Sequence, residues 1–177
     1  MKKVKNTLGS ILKRFKIEGI HLSTECLGVD ISYTNYDAEA AWALYVQLLT
    51  RACTQPLKAN EGTEDAALES IYQLFPICRD ILTNYGRCAA AFSKICIVIL
   101  NQIVRPFTSK WHRLSENGAF ESDDKCSEFR KELSELQKFL INYSRLLAEM
   151  SGVEDLTCVE PDAFASECAP CKCDSKE

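Results

Sequence analysis

Histidine is scarce in this chain: His21 and His112 are the only two among 177 residues. That scarcity removes the His-Glu-x-x-His zinc signature and the Glu-x-x-His pairs of di-iron helical bundles. Glycine is sparse too, and none of the seven sits in a phosphate-cradling loop. No apolar run reaches the roughly 20 residues that span a bilayer. The longest candidate, 95–104, is broken by Asn101 and Gln102 and reads as a buried core helix. The start lacks the long apolar stretch of a secretory signal, and no internal repeat is visible. The carboxylates Glu128, Glu132 and Glu135 follow one solvated face, which is poor placement for paired acid–base work. These absences lead to the expectation of a cytoplasmic, non-enzymatic protein without a resident cofactor.

Ten cysteines are present, and in the cytosol they are expected as reduced thiols. Cys53, Cys78 and Cys96 fall in helical segments and read as small buried hydrophobes. Apolar residues make up 46% of the chain and charged residues 26%, the balance of a globular domain with a core. The net charge of −4 is unevenly spread. Lys2, Lys3, Lys5, Lys13, Arg14 and Lys16 give the first sixteen residues +6, so the remainder carries −10. The segment from 152 onward holds seven acids against Lys172 and Lys176.

The strongest pattern lies at 129–150. Phe129, Leu133, Leu136, Leu140, Tyr143, Leu147 and Met150 alternate spacings of four and three. On a helix this puts all seven on one seam, which must lie against other helices of this chain or of a partner. Ser122 or Asp123 caps the helix and Gly152 ends it.

Three further long helices are expected. One runs over about 37–53, capped by Asn35 or Asp37 and stopped before Pro56. Its two stripes, Ala41, Tyr45, Leu48, Ala52 and Trp42, Val46, Leu49, Cys53, together suggest the central helix of the core. The next starts at Thr63 and stops at Gly86, with Pro76 freeing the Tyr72 carbonyl and kinking or splitting it. The last covers about 88–113 and is interrupted by Pro106 in the same way. Residues 2–15 form a basic amphipathic helix, and Leu27, Val29, Ile31 and Tyr33 alternate as a strand that 16–23 could pair with. The expected fold is therefore all-α: an antiparallel four-helix bundle over 35–157, an N-terminal helix and β-hairpin appendage over 1–34, and a Cys-rich acidic tail over 158–177.

Three segments suggest chemistry. The stretch 104–113 gathers Arg105, Lys110, His112 and Arg113 around Phe107 and Trp111, a grouping suited to an anion or an acidic partner. Arg51, with Thr50, Thr54 and Gln55, would line the same surface if the helices are neighbours. The competing reading packs Phe107 and Trp111 in the core and pairs the cations with nearby acids. Leu8, Ile11, Leu12, Lys13, Arg14 and Phe15 offer a surface for a partner or an anionic membrane, or cover the protein's own bundle. Cys158, Cys168, Cys171 and Cys173 are candidate zinc thiolates, set against simple reduced thiols in a tail. The overall acidity disfavours nucleic acid.

The stretches AAWALYV (40–46), LNQIVRPFTSKWHR (100–113) and MSGVEDL (150–156) resemble a group of uncharacterised bacterial helical proteins. The resemblance spans about 30–157 and implies a bacterial cytosolic helical protein, with no activity attached. The function expected is an interaction or adaptor module that binds a protein partner or itself. The alternative is a ligand-sensing or nucleic-acid-associated bundle using 105–113, in a stress or anti-phage response.

Overall fold

The computed structural model describes residues 7–21, 24–28, 31–57 and 62–158. Among these the regular structure is helical and no strand is present. A short helix, α1 (Leu8–Arg14), and a single turn, α2 (Thr24–Leu27), precede four long helical rods. The first rod is α3 (Asn35–Leu49). The second is α4 (Glu64–Tyr72) continued by α5 (Leu74–Tyr85). The third is α6 (Ala90–Ile99), a π-helical turn (Leu100–Val104) and α7 (Arg105–Ser115). The fourth is α8 (Asp123–Ser151).

The heptad seam is buried throughout, from Phe129 to Met150, and it is covered by this chain's own helices. Over its second half α8 also buries Ile141, Ser144, Leu146 and Ala148, so only the side carrying Lys138, Asn142, Arg145 and Glu149 stays open. Its most extensive neighbour is α3. α3 packs against α8, α5 and α6, a central place as expected, but only one of its two stripes is covered. One stripe of α3 (Ala41, Tyr45, Leu48) is buried, whereas Trp42 and Val46 are 46% and 37% exposed. A wide apolar arc shows that a helix has greasy surface, not which part of that arc a neighbour covers.

The hairpin is also corrected. Leu27 closes α2, and Ile31 and Tyr33 carry no regular structure; Val29 lies outside the described residues. An isolated alternating segment has no partner to complete its backbone hydrogen bonds. Gly9 lets α2 approach closely, since a Cβ there would stand 3.3 Å from the Leu27 carbonyl oxygen. Gln102 fastens the segment between α1 and α2 to the π-turn: its Oε1 accepts the His21 N–H at 2.7 Å and its Nε2 donates to the His21 carbonyl at 2.9 Å.

The caps follow from composition. Thr34, rather than Asn35, caps α3, with Asp37 closing a capping box. Thr63 caps α4 as expected, while Gly86 and Gly152 end α5 and α8 with positive φ. Ser122 stands at the start of α8, but its side chain makes no capping bond. The two interior prolines act differently. Pro76 splits its rod at Gln73, three residues upstream. Pro106 is absorbed by the π-turn before it, where wider winding accommodates the missing donor without ending the rod. By length and mean hydropathy Ala90–Ser115 could cross a membrane. Its Phe92, Ile95, Cys96, Ile99, Val104, Phe107 and Trp111 are instead spent on the protein core.

Candidate functional site

The two proline-bearing rods flank an open groove of about 790 Å³. That is within the range of roughly 300–1,000 Å³ typical of ligand sites. One wall carries Tyr72, Phe75, Arg79 and Leu82; the other carries Ile97, Leu100, Asn101, Arg105, Thr108, Ser109, His112 and Glu116. The spacing on α7 explains the second wall. Arg105, Thr108, Ser109 and His112 fall at i, i+3, i+4 and i+7, one face of a helix with 3.6 residues per turn. The π-turn sets Leu100 and Asn101 at the rim just before it.

Two guanidinium groups converge on Phe75. Arg105 lies over its ring, 5.0 Å from the centroid, and its Nε and Nη2 donate to Asn101 Oδ1 at 3.1 and 3.0 Å. Arg79 Nε donates to the Phe75 carbonyl oxygen at 3.2 Å. Neither arginine has a carboxylate partner among the described residues. His112 meets the Tyr72 ring edge-on at 4.9 Å, and its buried Nε2 has no hydrogen-bond partner among the described residues. Such an atom is costly to leave unmatched and suits a polar ligand group. Among the described residues Glu116 is the only acid in the lining. Exposed Tyr72 and Ile97 supply apolar surface.

The remaining members of the 105–113 segment point elsewhere. Trp111 is fully buried, stacked on Phe120 and edge-on to Phe129, and its Nε1 donates to Glu132 Oε2 at 2.9 Å. Lys110 donates to Glu132 and, at 3.0 Å, to Glu128, and lies 4.7 Å from the Trp111 ring centroid. Those two carboxylates hold its ammonium above the ordinary lysine range. Lys125 and Lys110 in turn hold Glu128 below the ordinary carboxylate range. Both side chains therefore serve the α7–α8 contact, as in the structural reading of this segment. Arg113 is exposed and lines no part of the groove.

Arg51 is likewise not in the groove, and its Nε donates to Gln47 Oε1 at 3.1 Å. Thr54 and Gln55 donate back to the Leu48 and Leu49 carbonyls and finish α3. Leu8, Ile11 and Leu12 are buried in the common core, so they present no surface to a partner or a membrane. Phe15 packs partly against the same core, while Lys13 and Arg14 are exposed. Arg14 forms an ion pair with Glu149 of α8. Cys168, Cys171 and Cys173 lie outside the described residues, as does the Cys158 side chain. Among the described residues no cluster of His, Cys, Asp or Glu is arranged to hold a metal ion.

Sequence reasoning found Arg105 and His112 but missed Arg79, Tyr72 and Phe75. These lie on another rod, and no local pattern links them to α7. The division of α7 into two faces was available from its helical spacing alone. No protein-family model, curated protein or solved structure matches this chain.

Proposed function

We propose that this protein is a non-enzymatic helical interaction module, and that its groove receives an acidic, apolar-anchored segment of a partner protein. The observation that carries this reading is the convergence of Arg79 and Arg105 on Phe75, beside the unmatched Nε2 of His112. Guanidinium groups without a carboxylate partner suit side-chain carboxylates, which they grip in a forked geometry. Tyr72 and Ile97 give an apolar neighbour on the segment a place to bury. An open groove fits a chain segment better than an enclosed cofactor. The acidic chain and Glu116 disfavour a phosphate-tracking nucleic-acid surface. We also read the four long rods as an antiparallel four-helix bundle in a cytosolic protein. Short links between successive rods, at 86–89 and 116–122, and the shared core support that arrangement.

The test uses a short fluorescent peptide of alternating glutamate and leucine, read by anisotropy. The intact protein binds it, and Arg79→Glu with Arg105→Glu weakens binding about a hundredfold, as loss of two charge-assisted contacts implies. Lys131→Glu, on the exposed side of α8, leaves binding unchanged. Equal affinity in all three proteins, or binding of inorganic phosphate with no peptide preference, overturns the reading.

A further inference from the structure

Seven large apolar side chains are exposed among the described residues: Tyr36, Trp42, Val46, Tyr72, Ile97, Val153 and Leu156. Tyr72 and Ile97 belong to the groove. The other five gather elsewhere. Tyr36, Trp42 and Val46 stand on the outer side of α3. Val153 and Leu156 flank the segment held to that helix by Tyr45, whose hydroxyl accepts the Leu156 N–H at 2.7 Å and donates to the Glu154 carbonyl at 3.3 Å. Tyr45 is itself next to Trp42, with ring centroids 6.0 Å apart. Three exposed large apolar residues on one helix, with more alongside, form a patch that water does not favour.

We infer that this face of α3 is a two-fold self-association surface, and that its occupant is α3 of a second copy running antiparallel. Charge decides for a second copy. The helix carries only two ionisable acids, Asp37, which is buried and hydrogen-bonded, and Glu39, which is exposed near its start. The base Arg51 follows just past its end. An antiparallel pair centred near Ala43 to Val46 lays Trp42 of each copy across Val46 and Leu49 of the other. It also brings each Glu39 to the Thr50 and Arg51 end of the opposite helix, and sets the two helix dipoles side by side and antiparallel. The face is thus complementary to itself, as an isologous interface requires. The apolar centre is dry and the two opposite charges fall at its rim. This surface is separate from the groove.

The experiment is sedimentation of the full chain over a concentration series, with five variants beside the wild type. The wild type moves to twice the monomer mass as concentration rises. Trp42→Glu with Val46→Glu remains monomeric while its circular dichroism is unchanged, because both positions are exposed. Glu39→Arg alone and Arg51→Glu alone each shift the transition to higher concentration, and the two together restore it. Trp42 emission moves to shorter wavelength with association, against a constant signal from buried Trp111. A wild type that stays monomeric throughout overturns the inference, as does a doubled mass that survives the Trp42 and Val46 changes. Failure of the charge swap to restore association overturns the antiparallel register. Arg79→Glu with Arg105→Glu leaves the mass unchanged, which separates this result from that of the groove.

Discussion

Asp37 Oδ1 accepts the backbone N–H of Phe92 at 2.9 Å, so one buried carboxylate starts two helices. Its Oδ2 accepts the Thr34 N–H at 2.9 Å and the Thr34 hydroxyl at 2.7 Å, closing the capping box of α3. The start of α6 has no capping side chain of its own, and Asp37 supplies one from across the fold. A negative charge also suits the positive end of α6. Asp37→Ala strands the buried Phe92 N–H and two part-buried Thr34 donors and should cost about 3 kcal/mol of unfolding free energy. Asp37→Asn should cost less, because one acceptor oxygen remains. Urea unfolding measures both, and a loss under about 0.5 kcal/mol for Asp37→Ala contradicts the double cap.

The seam on α8 and the outer face of α3 should respond in opposite ways to truncation. Leu140→Ala opens a cavity in an enclosed helix and should cost about 2–5 kcal/mol. Trp42→Ala removes a larger side chain, yet from a surface nearly half exposed, and should cost under about 1 kcal/mol in the monomer. Unfolding midpoints at low protein concentration check the ordering. A Trp42→Ala loss equal to that of Leu140→Ala would mean that the outer stripe of α3 is covered after all.

That contrast shows what the amino-acid order reveals. The 129–150 stripe was legible because a strict alternation of four and three admits one face only. The interior prolines were legible as disturbances, and Pro76 splits its rod as expected. The π-turn before Pro106 was not legible, because the two outcomes differ in how neighbouring rods hold the backbone rather than in the proline. Trp42 was misplaced because an apolar residue records a tendency to be buried, while coverage depends on where the neighbouring helix runs. The groove was half legible. Arg105 and His112 share a helix face, whereas Arg79 reaches them only through the packing of α5 beside α7, a long-range event without a local signal.

Gln137 is a buried polar residue beside the heptad seam, and it has a definite task. Its Nε2 donates to the carbonyls of Ala52 and Gln55 at 2.7 and 2.6 Å, holding the turn after α3 to α8. Arg130 adds a second tie, its Nη1 donating to the Leu57 carbonyl at 3.3 Å while its Nε is bound to Glu64 Oε1 of α4 at 2.6 Å. Gln137→Leu keeps the apolar contacts but leaves two carbonyls unmatched, at a cost of about 1–3 kcal/mol. Hydrogen exchange should accelerate at 50–57 more than in the centre of α8. Uniform acceleration along the chain would contradict a local fastening role.

Stability should fall in alkali, and the buried thiols explain why. Burial pushes the Cys53 thiol from 9.0 up to about 12. A hydrogen bond to Cys96, together with burial, pushes Cys78 up as well. Unfolding lets a thiol ionise at its ordinary value while the folded protein keeps it neutral. The contribution of Cys53 is therefore whole below pH 9.0 and lost progressively toward about 12. Each such group adds a slope of about 1.4 kcal/mol per pH unit in that window. Unfolding free energies of the wild type and Cys53→Ala should converge as pH rises. A gap between them that stays constant with pH would remove Cys53 as a source of the alkaline loss.

The most direct measurement uses the scarcity noted at the outset. With two histidines, a long-range nitrogen–proton spectrum of the imidazole rings contains two spin systems and needs little assignment. Titration with the glutamate–leucine peptide should move the His112 ring resonances, because that side chain lines the groove and its Nε2 has no hydrogen-bond partner among the described residues. His21, fixed through its backbone to Gln102, should stay still and serves as the internal reference. A saturating peptide that leaves His112 unmoved, or shifts both rings alike, would contradict recognition in the groove.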